Sequence, residues 1–240
     1  REAYNFVDLL GDLKQKYWQV LPVGPTIFGD SPYQPSSGCA GNIYFIDLDK
    51  LADEGLLERE EILGYNWGTD QSEIDYAALH QNRYKILQKA FGRFDTNAQE
   101  FQDFVKKHSG WLEQYALFMT LKTDNLDKIW SEWPSEYKNP QAVALEKYQK
   151  KNYNTITFWK FCQYKFFQQW EDLKNYANSK GIYIIGDASF YVGYDSVDVW
   201  AERQLFMMSA NDTPEYVAAA APDKYSENGQ VWGNPMYDWD

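Results

Sequence analysis

Apolar positions at Phe6, Leu9, Leu10 and Leu13 recur at helical spacing within residues 2–14, which predicts a core-facing helix. Tyr17–Val23 (YWQVLPV) then reads as a short buried strand, bounded by Pro22 and Gly24. Residues 24–42 (GPTIFGDSPYQPSSGCAGN) are dense in Gly, Pro and Ser and predict a long irregular loop, kept ordered by Ile27, Phe28 and Tyr33. A short apolar segment at 43–48 (IYFIDL) precedes a weak helix to about Leu57. From about Asp75 to Tyr148 the helical spacing returns in three stretches. Ile86, Leu87 and Ala90 mark the first, Phe101, Phe104 and Val105 the second, and Trp111, Leu112, Tyr115 and Phe118 the third. The WSEWP segment at 130–134 breaks the run, because proline lacks the N–H a helix interior needs.

The strongest helix is predicted over 156–179, with Trp159, Cys162, Phe166, Trp170 and Leu173 on one side and Lys and Gln on much of the rest. Gly181 supplies a C-terminal stop. Ile182–Ile185 (IYII) follows as an unbroken apolar run, the pattern of a strand buried on both faces, and it ends on Gly186-Asp187. Helix, strand, helical stretch, helix, strand is a parallel α/β order. The helical stretch far exceeds the crossover of a βαβ unit of roughly 30 residues, so it reads as an insertion.

Composition narrows the chemistry. With 23 Lys plus Arg against 35 Asp plus Glu, the formal charge is −12, which argues against nucleic acid and anionic membrane surfaces. Two cysteines, Cys39 and Cys162, give no disulfide framework and point to a reducing compartment. His80 and His108 are the only histidines, and neither has neighbours at metal spacing, so no metal site and no Ser-His-Asp triad is expected. No apolar run reaches the roughly 18 residues of a spanning helix. Trp, Tyr and Phe number 10, 19 and 14, an excess compatible with sugar binding. Tyr and Trp offer a flat apolar face to a pyranose and a hydrogen-bonding edge to its hydroxyls.

Three segments, in order and spacing, resemble the amylomaltase-type 4-α-glucanotransferases, glycoside hydrolase family 77 of the α-amylase superfamily. They are WQVLPVGPTIFGDSPYQPSSGCAGN (18–42), GIYIIGDASFYVGYDSVDVWA (181–201) and APDKYSENGQVWGNPMYDW (221–239). The resemblance implies an α/β fold, part of a (β/α)8 TIM barrel. Residues 17–23 and 182–187 would be its second and third strands, 1–240 a partial catalytic barrel domain, and 50–150 a helical insertion subdomain. Arg1 opens the chain without Met and Asp240 closes an aromatic cluster, so both ends are expected to be cuts in a longer chain.

The implied activity moves α-1,4-glucan segments between maltooligosaccharides by a retaining double displacement, without cofactor or metal, in the cytoplasm. Maltooligosaccharides would be the partners; nucleic acid and membrane would not. By resemblance Asp187 contacts the glucose next to the cleaved bond, Tyr33 lies against that glucose with Ser31 in the same loop, and Asp223, Gln230, Trp232 and Asn234 line the glucan groove. A retaining reaction needs two carboxyl groups about 5–5.5 Å apart. The family's nucleophile lies in an Arg-x-Asp-His-type segment downstream of the Gly-Asn-Pro signature, and no such segment occurs here. No catalytic residue is therefore expected in this chain, which alone would be inactive. The alternative is a non-catalytic α-glucan-binding domain or a divergent inactive paralogue. Asp195 and Asp198 resemble paired carboxylates, but Asp195-Ser196 reads as a helix cap. Ala188-Ser189-Phe190, Ala221, Ile43 and Cys39 depart from the family pattern. The loss of three prolines among them is expected to loosen the loops.

Overall fold

A computed structural model of the chain describes residues 1–27, 29–70, 72–139 and 142–240, Ala142 by its backbone alone; Phe28 lies outside the described residues. Helix α1 (Glu2–Asp12) leads to strand β1 (Tyr17–Gln19), the irregular loop and a 3-10 turn at Ile43–Phe45. Then come α2 (Leu48–Asp53), α3 (Arg59–Leu63), α4 (Tyr76–Phe91), α5 (Gln99–Lys107) and α6 (Ser109–Asp124). Short α7 (Ser135–Lys138) and α8 (Ala142–Lys151) precede the long α9 (Tyr153–Ser179). Strand β2 (Tyr183–Ile185), α10 (Val197–Ala201), β3 (Val217–Ala220) and β4 (Gln230–Pro235) complete the order. Two compact units result. The first comprises Arg1–Val20, Gly41–Ser109 and Thr157–Ile185; the second comprises Leu21–Ala40, Gly110–Ile156 and Gly186–Asp240.

In the first unit β1 and β2 pair in parallel, Tyr17 opposite Tyr183 and Gln19 opposite Ile185. Within these 240 residues Tyr17, Tyr183 and Ile185 are exposed. On the other face Trp18 and Ile184 lean on a core of Val7, Leu173, Ala177 and Ile182. Helix α1 is likewise rotated from its predicted face. Ala3, Val7 and Leu10, at i, i+4 and i+7, meet this core, whereas Phe6, Leu9 and Leu13 are exposed. Phe6 instead meets the edge of Trp18.

Helix α9 begins three residues earlier than predicted and ends as Gly181 requires. Gly181 adopts φ +74. Its N–H reaches Asn178 O, the Ile182 N–H reaches Ala177 O at 2.9 Å, and Ile182 packs with Ala177 in the core. This paired bonding satisfies the last carbonyls of the helix.

The predicted polar side of α9 is partly internal: Gln163, Lys165 and Gln169 are buried. Each has a backbone or charged partner, as burial demands. The Gln163 amide accepts from Gly41 N–H at 2.8 Å and donates to Gly41 O at 3.0 Å. The Gln169 amide does the same with Asp47, at 2.7 and 3.1 Å. Three residues further along both tracks, Lys50 pairs with Asp172 at 3.3 Å. Segment 41–50 is thus fastened to α9 at Gly41, Asp47 and Lys50, with glutamine amides bonding the backbone at the first two. Asn42 braces its start, its side chain accepting the Tyr44 N–H at 2.9 Å. Lys165 bonds Glu54 and lies over the rings of Phe94 and Tyr164.

A surface clamp gives this unit a pH signature. Arg93 grips Glu61 with two bonds, 2.6 and 3.1 Å, and the Glu58 N–H adds a third at 3.0 Å. The guanidinium first, then that N–H, hold the Glu61 carboxyl down to about 2, below its ordinary 4.5. A lowered carboxyl stabilises fully above its unfolded pKa and loses that contribution as pH falls through the folded one. The melting-temperature difference between wild type and Glu61→Gln is therefore expected to be constant above about pH 5 and to shrink as the pH approaches 2. A difference unchanged across that range would contradict the clamp.

The second unit is built on tryptophans. Phe118, Trp133 and Trp200 pack with ring centroids 5.2 to 5.9 Å apart. The Trp130 indole donates to Tyr194 O and the Trp200 indole to Tyr137 O, both at 2.8 Å. Arg203 lies over the Trp130 ring at 4.4 Å. Strands β3 and β4 form an antiparallel hairpin, irregular between Val217 and Ala219. No helix among the described residues is long and apolar enough to cross a membrane.

Candidate functional site

All seven residues expected to meet sugar belong to the second unit. Their scaffold is a set of loops held by specific bonds. Thr26 and Pro35 form an isolated antiparallel bridge across the loop that opens this unit. Pro35 O accepts the Gly193 N–H at 3.0 Å, and Ser36 O accepts the Val197 N–H at 2.9 Å. Gly193 brings the backbone close here: a Cβ would lie 2.7 Å from Ile27 Cδ1, so the end of that side chain would have to move. Within the loop, Gln34 N–H bonds Ser31 O at 3.1 Å, closing a turn that presents Tyr33. Ser31 Oγ accepts the Tyr33 N–H at 3.3 Å, so Ser31 shapes the turn.

Asp187 leaves the end of β2 exposed, and the Tyr33 hydroxyl donates to its Oδ2 at 2.7 Å. That bond raises the Tyr33 hydroxyl pKa, since ionising it would set phenolate against carboxylate. Trp232 is half exposed, and its indole N–H donates to Gln230 Oε1 at 3.0 Å, which fixes the two side chains as one ring-and-amide surface. Ring faces beside hydrogen-bonding edges suit an alternately apolar and hydroxylated ligand.

Two expected residues behave differently. Asn234 is 3% exposed, and its amide N–H donates to Val192 O at 2.9 Å, so it is spent inside the fold. Asp223 is exposed, but its carboxylate accepts the Tyr225 and Ser226 N–H groups at 2.8 Å and shapes the turn between β3 and β4. No hydrogen bond among the described residues ties it to Tyr33 or Asp187. Sequence reasoning missed Gln34, whose amide donates to Trp232 O and, at 3.4 Å, to Asn234 Oδ1. Its signal in the sequence is its place in the segment 18–42, directly after Tyr33.

The paired aspartates are structural. Ser196 caps α10, its hydroxyl accepting the Val199 N–H at 3.2 Å, while Asp195 turns away to pair with Lys122 and accept the Trp130 N–H at 3.2 Å. Burial pushes the Asp195 carboxyl up, against the opposing pull of Lys122. Asp198 is also raised by burial, and it accepts the Gly38 N–H at 3.0 Å. Both carboxylates hold loops in place.

A parallel strand pair among helices, with an aspartate directly after its second strand, defines an α/β protein. The 4-alpha-glucanotransferase family model matches residues 1–240, and the chain belongs to that family, glycoside hydrolase family 77. A 4-alpha-glucanotransferase of Streptococcus pneumoniae is 44% identical over 245 residues, covering 100% of this chain and 48% of its own length. One from Clostridium butyricum is 42% identical, with 100% and 50% covered. The solved amylomaltase of Streptococcus agalactiae in complex with acarbose superposes with a TM-score of 0.94 at 40% identity, covering 100% of this chain and 49% of that one. The chain spans about half the length of the curated relatives it matches.

Proposed function

We propose that the protein is a 4-α-glucanotransferase acting on maltooligosaccharides and α-1,4-glucans in the cytoplasm, and that these residues hold the donor glucan. In this reading β1 and β2 are the second and third strands of a (β/α)8 barrel, residues 50–150 are its helical insertion, and Asp187 stands at a strand's C-terminal end, where such barrels place substrate. The observation that carries the reading is the bond from Tyr33 to Asp187, 2.7 Å long between a loop and a strand end 154 residues apart. It leaves a ring beside a carboxylate whose other oxygen can accept from a sugar hydroxyl. Trp232 and Gln230 extend the wall, and Ser31 and Asp223 set the turns that carry it. The shared name of the relatives and the acarbose bound to one of them favour the same ligand class.

The 240 residues contain no Arg-x-Asp-His segment, so their share of the reaction is binding and orientation. Those contributions alone can account for a large part of a barrier. Incubating the full-length protein with maltotriose is expected to release glucose and build a ladder of longer chains. Glucose and maltose alone would indicate a hydrolase, and no product would indicate a binding protein. Asp187→Asn is expected to lower kcat/KM about 10- to 100-fold, the loss of one charged hydrogen bond. An unchanged kcat/KM would remove Asp187 from the site.

A further inference from the structure

We propose that Gln34 and Asn234 are positioning residues, a clasp of two side-chain amides that sets the Trp232–Gln230 surface in register with the Tyr33–Asp187 pair. The inference rests on the functional reading above. It joins three pieces of chain distant in sequence: the turn at 31–34, the segment after Asp187, and strand β4.

Gln34 is the hub. Its Nε2 donates to Trp232 O and to Asn234 Oδ1, so both of its protons are committed to β4. Asn234 in turn donates through Nδ2 to Val192 O at 2.9 Å and, at the long limit of 3.5 Å, to Tyr33 O. One amide therefore reaches from the hairpin to the segment that carries Asp187 and to the backbone of the residue that bonds it. Asn234 is buried, so water cannot take over its bonds without a cost.

The pairing of β4 with β3 holds the backbone at Gln230 and Val231, and the clasp adds a bond at the Trp232 carbonyl, next to the irregular stretch of the hairpin. Gly233 follows Trp232 with φ +79, a conformation that glycine tolerates and that alone does little to fix the strand. Trp232's indole is half exposed, held at its own N–H by Gln230 and at its carbonyl by Gln34. If Gln34 lets go, the Trp232 carbonyl loses its bond to the 31–34 turn while the Tyr33–Asp187 bond is untouched. The expected fault is a binding wall displaced from an intact strand-end carboxylate, which weakens ground-state binding more than turnover.

Two variants of the full-length protein separate this role from general damage. Gln34→Leu keeps the shape and removes both donors. Gln34→Glu keeps the shape and, when ionised, faces two oxygen acceptors with a carboxylate. With maltotriose, Q34L is expected to raise KM about 10-fold with kcat within about 3-fold. Q34E is expected to raise KM further at neutral pH and to recover toward wild type below about pH 4.5, where a protonated carboxyl donates again. Wild type and Q34L assayed across the same range provide the reference and are expected to show no such recovery. An unchanged KM in both variants overturns the clasp. Equal losses in KM, kcat and melting temperature with no pH recovery assign Gln34 a merely structural role and overturn it too.

Hydrogen–deuterium exchange gives an answer independent of activity. In Q34L, exchange is expected to rise in peptides covering 230–235, with 41–47 unchanged; no rise in 230–235 overturns the proposal. Should wild type fail to disproportionate maltotriose while this exchange pattern appears, the functional reading fails and the clasp stands as a structural coupling.

Discussion

Replacing Lys122 by Met is expected to destabilise the protein by about 3–5 kcal/mol, the usual result of removing one partner from a buried ion pair. The side chains of Lys122 and Asp195 are 14% and 13% exposed, so neither charge can turn to water. Lys122 also donates to Asp127 O at 3.0 Å and Lys128 O at 3.2 Å, and these carbonyls would lose a donor as well. Asp195 would keep only the Trp130 N–H. Its carboxyl is raised by burial even with Lys122 present, and losing the cation raises it further.

A raised carboxyl means that the folded state binds the proton more tightly than the unfolded state does. Stability then falls as the pH rises through the interval between the two pKa values. The deficit of K122M is accordingly expected to be largest at neutral pH and to narrow as the pH is lowered below that interval. Adding Asp195→Asn is expected to recover much of the loss. Thermal melts at two pH values decide the matter: a loss under about 1 kcal/mol, or a deficit independent of pH, would contradict a buried pair.

Gly41→Ala is expected to be as damaging, for a steric reason. A Cβ at Gly41 would lie 2.0 Å from Cδ1 and 2.1 Å from Cε1 of Phe166, a ring only 4% exposed. The backbone cannot retreat, because Gln163 holds both its N–H and its carbonyl. Overpacking a well-filled core typically costs about 1–3 kcal/mol, and here relief also breaks two buried bonds at about 1–3 kcal/mol each. Loss of cooperative folding is the expected outcome. Phe166→Leu in the same chain makes room and is expected to restore part of the stability. Unperturbed melting of Gly41→Ala alone would show that the two do not meet.

Elements whose evidence is local were legible in the sequence. The apolar spacing marks Ile86, Leu87, Ala90, Leu112, Tyr115 and Phe118 as core, and all are buried. WSEWP breaks the helices, and Gly181 ends α9. Facing is harder, because it depends on partners remote in sequence. Phe6, Leu9 and Leu13 form as good a helical stripe as Ala3, Val7 and Leu10, and only the fold chooses between them. Gln163 and Gln169 read as solvent-facing because nothing local shows that a backbone 122 residues away needs their amides.

The same division holds at the candidate site. Tyr33, Asp187 and Trp232 follow from segments that resemble the family, and the structure joins Tyr33 to Asp187 directly. Gln34 lies in the segment that carries the resemblance, but its partner is a carbonyl, Trp232 O, that has no identity in sequence, so it was given no role. Asn234 carried a recognisable signature but turned inward, since an amide with four bonding positions serves a loop junction as readily as a sugar.

The attachment of segment 41–50 to α9 has a consequence for how the chain is made. Its amide partners are synthesised 122 residues later, roughly 6 to 25 s at ordinary ribosomal rates. Strand β1 waits longer still for β2. Until then these two segments lack the partners they bond here, and the helices in between can form on local contacts. The order of synthesis therefore sets when this unit can close: Gly41 and Asp47 find their amide partners only once α9 has left the ribosome.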